Sequence, residues 1–249
     1  MELELYHGLA STCSKKVRLC LYEKELPFSS RLLDLQRFEQ HRPEYLALNP
    51  KGVVPTLVHR GTPITESSYI IEYLDEHFPQ VPLRPKGQDA RARIAKWLCF
   101  SDTIAYDAVY VPTWSILSAG AMRGLSADER NDVLNRVPTP ERRKRWEQVT
   151  STGFGQGELE KAYSKMRECF EHCESALEKN PWLAGEYYSL ADIAVVPFID
   201  RINNLKPEYL AAPLYPKLNA WYAHMRARPA FAKAFEFSDD PRAATLVNI

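Results

Sequence analysis

The sequence predicts an α/β domain followed by an all-helical one. Three observations carry that expectation. Residues 1–78 alternate between strand-like and helix-like segments, a proline-rich stretch at 79–88 interrupts the chain, and from Asp89 onward helical periodicity runs without a convincing strand.

Within the first part, Leu3, Leu5 and His7 alternate with polar neighbours, as in a short strand. A loop over 8–13 follows. From Ser14 the spacing of Val17, Leu19, Cys20, Leu21 and Leu26 gives an amphipathic helix, and Phe28–Leu33 is a second strand. A helix between two strands makes a βαβ unit with parallel strands the economical arrangement. Asn49-Pro50-Lys51-Gly52 is turn chemistry. Val53–Val58 reads as a strand, and because proline removes a ladder donor, Pro55 belongs at its start. A hairpin-like turn at Arg60–Pro63, a short strand at Ile64 and a helix over 65–78 complete the order βαβαββα. Beyond the break, helices are expected over 89–120, 126–135, 157–179, 189–203 and 215–227, with Pro112 kinking or ending the first of them locally. The expected domains are therefore 1–78 and 89–249, joined by a linker at 79–88.

Composition narrows the function classes. Lys+Arg and Asp+Glu both number 32 in 249 residues, so the basic excess of a nucleic-acid-binding surface is missing. No run of 18 apolar residues exists to span a membrane. Met1–Gly8 carries acids where a signal peptide needs a basic and then an apolar stretch. Five cysteines without a CxxC pair argue against a disulfide framework, and a cytoplasmic location is expected. Cys169, His172 and Cys173 sit at helical spacing but lack a fourth ligand nearby, so packing is the expected role and no metal is called for. Arg142-Arg143-Lys144-Arg145, flanked by Glu141 and Glu147, is expected to be a solvated helix face.

Several short patterns carry chemistry. A proline after Val54 suits a cis peptide that turns the preceding backbone N–H and C=O outward, or simply a rigid turn opening a strand. Glu66-Ser67 at a helix start offers free N–H groups and a dipole to an anion; ordinary capping by Thr65 or Ser67 is the plainer reading. Ser189 and Asp192 form a capping-box-like pair and are expected to serve folding, at roughly 0.5–2 kcal/mol for loss of the cap. Tyr106, Tyr110 and Trp114 recur every four residues and share one helix side, which fits either core packing or the lining of a pocket.

Taken together, Asn49-Pro50-Lys51-Gly52-Val53-Val54-Pro55-Thr56-Leu57, Thr65-Glu66-Ser67, Trp182-Leu183-Ala184-Gly185 and Ser189-Leu190-Ala191-Asp192-Ile193 resemble the cytosolic glutathione transferases in order and spacing. The resemblance spans nearly the whole chain. It implies a thioredoxin-like N-terminal domain, an all-α C-terminal domain and glutathione as co-substrate. In that family the backbone at Val53, Val54 and Pro55 pairs with the cysteinyl part of glutathione, while Glu66 and Ser67 face its γ-glutamyl end. A hydroxyl or a cysteine before the first helix stabilises the thiolate, and this chain offers Ser11, Thr12, Cys13 and Ser14 in succession. Aligned on Lys16-Val17-Arg18, Ser11 takes the place of the family's serine, and Cys13-Ser14 resembles the cysteine-containing bacterial beta class. Ser11 is favoured, with Cys13 and Ser14 left open.

Phe38-Glu39-Gln40-His41, Val137-Pro138-Thr139-Pro140-Glu141, Trp146 and Gly153-Phe154 resemble, more narrowly, the bacterial β-aryl etherases, in which glutathione displaces a phenol beside a ketone. This resemblance implies that Gln40 or His41 meets the glycyl end of the tripeptide and that Lys51 supplies charge to its carboxylate. It implies a small hydrophobic, aromatic electrophile, for which the Tyr106, Tyr110 and Trp114 face read from helical spacing is the candidate pocket lining, with Phe154 and the tail at Phe235–Phe237 as candidates to close it. A homodimer is the family expectation. The alternatives are a glutathione-dependent oxidoreductase or dehalogenase working through Cys13, and a non-enzymatic ligand-binding protein that retains the fold.

Overall fold

The computed structural model describes residues 2–210 and 213–248, with Arg123 described by its backbone alone. β1 (Leu3–Gly8) buries Leu3 and Leu5, as its alternation requires, and lies parallel to β2 (Ser29–Leu33) with Leu5 opposite Ser30. α1 (Thr12–Glu23) makes the crossover between them. After the short α2 (Pro43–Leu46), β3 (Thr56–His59) runs antiparallel to β1 and pairs with β4 (Thr62–Ile64), giving a four-stranded sheet in the order β2-β1-β3-β4. Pro63 sits on the edge strand, where a missing donor does no harm. β3 starts one residue after Pro55, so Val53 and Val54 stay outside the ladder, and the Val54-Pro55 bond is cis. α3 (Ser67–His77) closes this thioredoxin-like part.

From α4 (Gln88–Phe100) the chain is helical. α4, α5 (Tyr106–Thr113) and α6 (Ala119–Arg123) form one run joined by wide π turns at Ser101–Ala105 and Trp114–Ser118. Pro112 sits inside the run, and the second wide turn follows it directly, a common response to a missing N–H. α7 (Ala127–Arg136), α8 (Pro140–Ser151), α9 (Gln156–Leu177), α10 (Leu190–Leu205), α11 (Pro207–Leu210), α12 (Pro216–Arg226) and α13 (Pro229–Phe235) follow. The sequence pattern had not separated α8 or α13. The polarity of α8 hides its apolar side, which consists of the buried Trp146 and Val149.

One hydrophobic core runs through both parts, joining Leu5, Val17 and Ile70 to Ala105, Phe198 and Phe235. α1 lies inside it: residues 14–21 are all buried, Lys15, Lys16 and Arg18 among them. Each of these charges meets the helical part. Lys16 Nζ donates to Ser68 Oγ (3.0 Å), Ser101 Oγ (3.1 Å) and Asp102 Oδ1 (2.9 Å), and Lys15 lies 3.6 Å from Asp200. A second, smaller core gathers Met122, Val133, Val137, Trp146 and Val149 of α6–α8 around Phe38 from the loop after β2. That contact anchors the α7–α8 region against the sheet domain.

Ser189 and Asp192 do form a capping box, with Ser189 N donating to Asp192 Oδ2 at 3.0 Å. Asp192 also accepts from Leu183 N (3.1 Å) and Trp221 Nε1 (2.9 Å), all of it fully buried. Its removal strands three interior donors, which puts the cost above that of a simple cap. Asp192→Ala is therefore expected to lose about 3 kcal/mol or more in urea unfolding, against about 1 kcal/mol for Ser126→Ala in the exposed capping box of α7.

Candidate active site

The site grows from the loop between β1 and α1. Ser11 is the N-cap of α1, and its Oγ accepts the Ser14 N–H at 3.2 Å. That bond uses a lone pair of the hydroxyl oxygen and leaves the O–H free to donate. Beneath the loop, three consecutive carbonyls meet buried guanidiniums. Arg18 donates to Gly8 O (3.1 Å) and Leu9 O (3.0 Å), and Arg201 from α10 donates to Ala10 O (2.5 Å). A Cβ on Gly8 would stand 2.5 Å from Leu35 Cδ1, so a larger residue here would displace the Leu35 side chain that lines the cavity beside it. Burial pulls the Arg18 pKa down to about 9, which still leaves it charged at neutral pH.

Ser11, Thr12 and Cys13 form the floor of a cavity between the two parts of the chain. Gln40, Val53 and Val54 line the side nearest the sheet. Tyr106, Tyr110, Thr113 and Trp114 make the wall from the helical run, and Arg142 and Trp146 of α8 make the far end. Leu246 and Val247 reach the mouth from the C-terminal tail, which Arg242 ties to Leu32 O (2.7 Å) and Glu39 Oε2 (2.8 Å). The aromatic rings form a ladder, with centroids 5.4 Å apart for Tyr106–Tyr110, 5.0 Å for Tyr110–Trp114 and 4.6 Å for Trp114–Trp146.

Of the residues singled out from sequence, Ser11, Cys13, Gln40, Val53, Val54, Tyr106, Tyr110 and Trp114 thus share one cavity. Others lie elsewhere. Ser14 is fully buried, with its Oγ accepting the Gly8 N–H at 3.2 Å, and braces the loop from behind. His41 is also fully buried, 6.1 Å from Phe38 in a stacked pair and packed against Gly52. Pro55 is buried at the head of β3. Phe154 packs into the second core, Phe235 lies under Lys15 and Phe237 under Arg18, so none of these three closes the cavity.

Neither Thr65 nor Ser67 caps α3. The N-cap is Glu66, held in a left-handed conformation (φ 67) without a side-chain cap, and its carboxylate pairs with Lys51 Nζ at 2.7 Å on the surface. A non-glycine residue in such backbone is strained, a feature that clusters at ligand sites. Both partners are well exposed, so their pairing is weak and open to exchange.

The Cys13 thiol is pushed up by burial, against the opposing pull of Lys16 and a hydrogen bond to Ser67. A thiol so placed is a poor thiolate at neutral pH. Tyr106 is likewise pushed up by burial, with Cys13 adding to the rise and Arg142 opposing it. The reading of 142–145 as a solvated face needs correction: Arg142 points into the cavity with its guanidinium 5.5 Å over the Trp114 ring. The pattern concealed this because Arg143 and Arg145 on the same helix do pair outward, with Glu147 and Glu158.

Known proteins share this architecture. Residues 5–82 match the glutathione S-transferase N-terminal domain and residues 141–229 the glutathione S-transferase C-terminal domain. Protein LigF of Sphingobium sp. is 33% identical over 244 residues, covering 96% of this chain and 95% of its own. The chain belongs to the glutathione transferase family. The crystal structure of the β-etherase LigF superposes with a TM-score of 0.89 at 32% identity, covering 96% of this transferase and all (100%) of LigF. Glutathione S-transferase GstB of Escherichia coli is 28% identical over 225 residues, 90% of this chain and 92% of its own.

His41 gives the site's surroundings a pH dependence. Burial, with Arg142 and Arg136 nearby, pulls its pKa down to about 4, so the folded chain keeps it neutral where an unfolded chain protonates near 6.5. Its contribution to stability is complete above about pH 6.5 and is lost as pH falls towards 4. Between pH 7 and 5 the wild type should lose on the order of 2 kcal/mol to this group in urea unfolding. His41→Leu should lack that part of the loss, while His7, lowered by burial and Arg18, keeps its own share in both proteins.

Proposed function

We propose that this glutathione transferase binds glutathione with its thiol at Ser11 and directs the thiolate at an aromatic ether, releasing a phenol. The observation that carries the reading is the Ser11 hydroxyl, whose oxygen is engaged by the Ser14 N–H so that its proton is left for an acceptor in the cavity. A hydroxyl donor and the adjacent N-terminus of α1 favour the ionised thiol. The family's extended mode of binding supports a cysteinyl backbone paired beside Val54, the residue that leads into the ladder without belonging to it. The exposed ends of the tripeptide are assigned to Lys51, Glu66 and the N-terminus of α3, where no side chain caps the free N–H groups. Gln40 is assigned to the peptide's flank.

The reaction is a displacement. The thiolate forms a C–S bond at the carbon bearing the ether, the C–O bond breaks, and the electron pair leaves on the aryl oxygen, to be protonated by solvent. Similarity to the β-etherase LigF and the aromatic ladder of the cavity support an aryl ether as the electrophile. Residues 1–78 are assigned to glutathione, 79–88 to the linker and 89–249 to the electrophile. The protein is further proposed to act as a cytoplasmic homodimer. Sedimentation of a monomeric mass would contradict the dimer.

The oxidoreductase reading through Cys13 is the less favoured, because burial opposes the thiolate it requires. Incubation with glutathione and a model β-aryl ether should release phenol and leave a glutathione thioether. Ser11→Ala should lower kcat by about 10²–10³-fold, the usual cost of losing one preorganised donor. Cys13→Ala should stay within about threefold of wild type. The reverse pattern would move the chemistry to the thiol.

A further inference from the structure

Residues that line the cavity hold buried polar atoms with no partner among the described residues. Trp146 is 4% exposed and its indole Nε1 has no hydrogen-bond acceptor, and Gln40, 6% exposed, leaves its Oε1 unused. Thr113 Oγ1 and Arg142 Nε, from residues lining the same cavity, are also unpaired among the described residues. Buried polar groups are rarely left unsatisfied, and four of them on residues that line one cavity point to an occupant that supplies the missing bonds. Three of the four can donate, so the occupant must accept.

Arg142 sets the charge of that occupant. Its neighbours Arg143 and Arg145 pair with Glu147 (3.7 Å) and Glu158 (2.8 Å), but among the described residues Arg142 has no carboxylate partner. Its guanidinium stands over the Trp114 ring and beside the Tyr106 phenol. Thr139 fixes this placement: it caps α8 by accepting the Arg142 N–H, and residues 142 and 146 then lie one turn apart on the side facing the cavity. Tyr106, whose phenol Arg142 meets, and Cys13 at the start of α1 line the same cavity.

We propose that Arg142 and the Trp146 indole N–H form an aryl-oxyanion subsite that holds the phenolate oxygen of the leaving group. The ring of that group lies against Tyr110 and Trp114. This deepens the reading of the chain as an aryl-ether-cleaving transferase and rests on it. The C–O bond breaks with its electron pair going to oxygen, and a charge-assisted donor waiting there favours the step and selects ethers of acidic phenols over electrophiles without such an oxygen.

The test measures binding without glutathione or turnover, so its outcome is separable from the phenol-release assay. Quenching of tryptophan fluorescence reports the affinities of 4-nitrophenolate, neutral nitrobenzene and 4-nitrobenzoate. Arg142→Met should weaken 4-nitrophenolate by tenfold or more, in line with a charge-assisted hydrogen bond to a buried group, and nitrobenzene by less than about threefold. Trp146→Phe, which keeps a ring and removes the N–H, should weaken the phenolate about fivefold while leaving nitrobenzene within about twofold. Equal losses for the charged and neutral probes, or no loss in either variant, would overturn the subsite. Tighter binding of the benzoate than of the phenolate, with the same dependence on Arg142, would overturn its assignment to a phenolate.

Discussion

The arrangement depends on two buried arginines that hold three consecutive carbonyls of the β1–α1 loop. Arg18 lies in the second turn of α1, and helical side chains lean towards the N-terminus, which brings its guanidinium back under Gly8 and Leu9. Arg201 comes from the central helix of the other part and takes Ala10. With those carbonyls turned inward, Ser11 faces the cavity. The constraint works in both directions. Among the described residues Arg18 makes no ion pair, so its interior charge is tolerated because the loop carbonyls, Ala234 O of α13 at 2.8 Å and the His7 ring at 3.0 Å meet it. Loop shape, helix position and domain docking are one interlocked interaction.

The same logic explains the crevice above the loop. Lys16 and its three oxygen partners tie α1 and α3 to the wide turn after α4, fixing where the Tyr106–Tyr110–Trp114 face stands relative to the floor. The second core, centred on Phe38 and Trp146 with ring centroids 5.0 Å apart, fixes the far wall against the loop after β2. The cavity is thus bounded by surfaces each fastened to both parts of the chain. A ligand entering it meets the Ser11 hydroxyl, the Arg142 guanidinium and a row of aromatic rings.

Much of this was legible in the sequence. Period-two and helical spacing predicted the strands and the first and last helices of the βαβαββα order, though the four residues of α2 are too few to show a helical period, and the turn chemistry at Asn49–Gly52 located the segment leading to Val54. Helical spacing also put Tyr106, Tyr110 and Trp114 on one face. The misplaced residues share a physical reason: their roles depend on partners remote in sequence. Lys15, Lys16 and Arg18 read as polar positions of an amphipathic helix, yet they are interior because α10 and α13 cover that side. Arg142 looks like one of four basic residues, and only the docking of α8 on Phe38 distinguishes it from Arg143. His41 neighbours a cavity-lining glutamine in sequence but turns behind the wall onto Gly52. Glu66, rather than the better capping residues beside it, heads α3, and nothing in its local sequence signals the positive φ it adopts there.

The central claim is that the loop held by Arg18 and Arg201 is what aims the Ser11 hydroxyl at the thiol. It is tested most directly by titrating the thiol of bound glutathione through thiolate absorbance in the wild type and in Arg201→Met, which leaves Ser11 in place and removes the guanidinium that holds the Ala10 carbonyl. With circular dichroism confirming that the variant is folded and saturation confirming that it binds glutathione, the account predicts a bound thiol pKa that is depressed in the wild type and returns towards that of free glutathione in the variant. An equally depressed pKa in both proteins would contradict it.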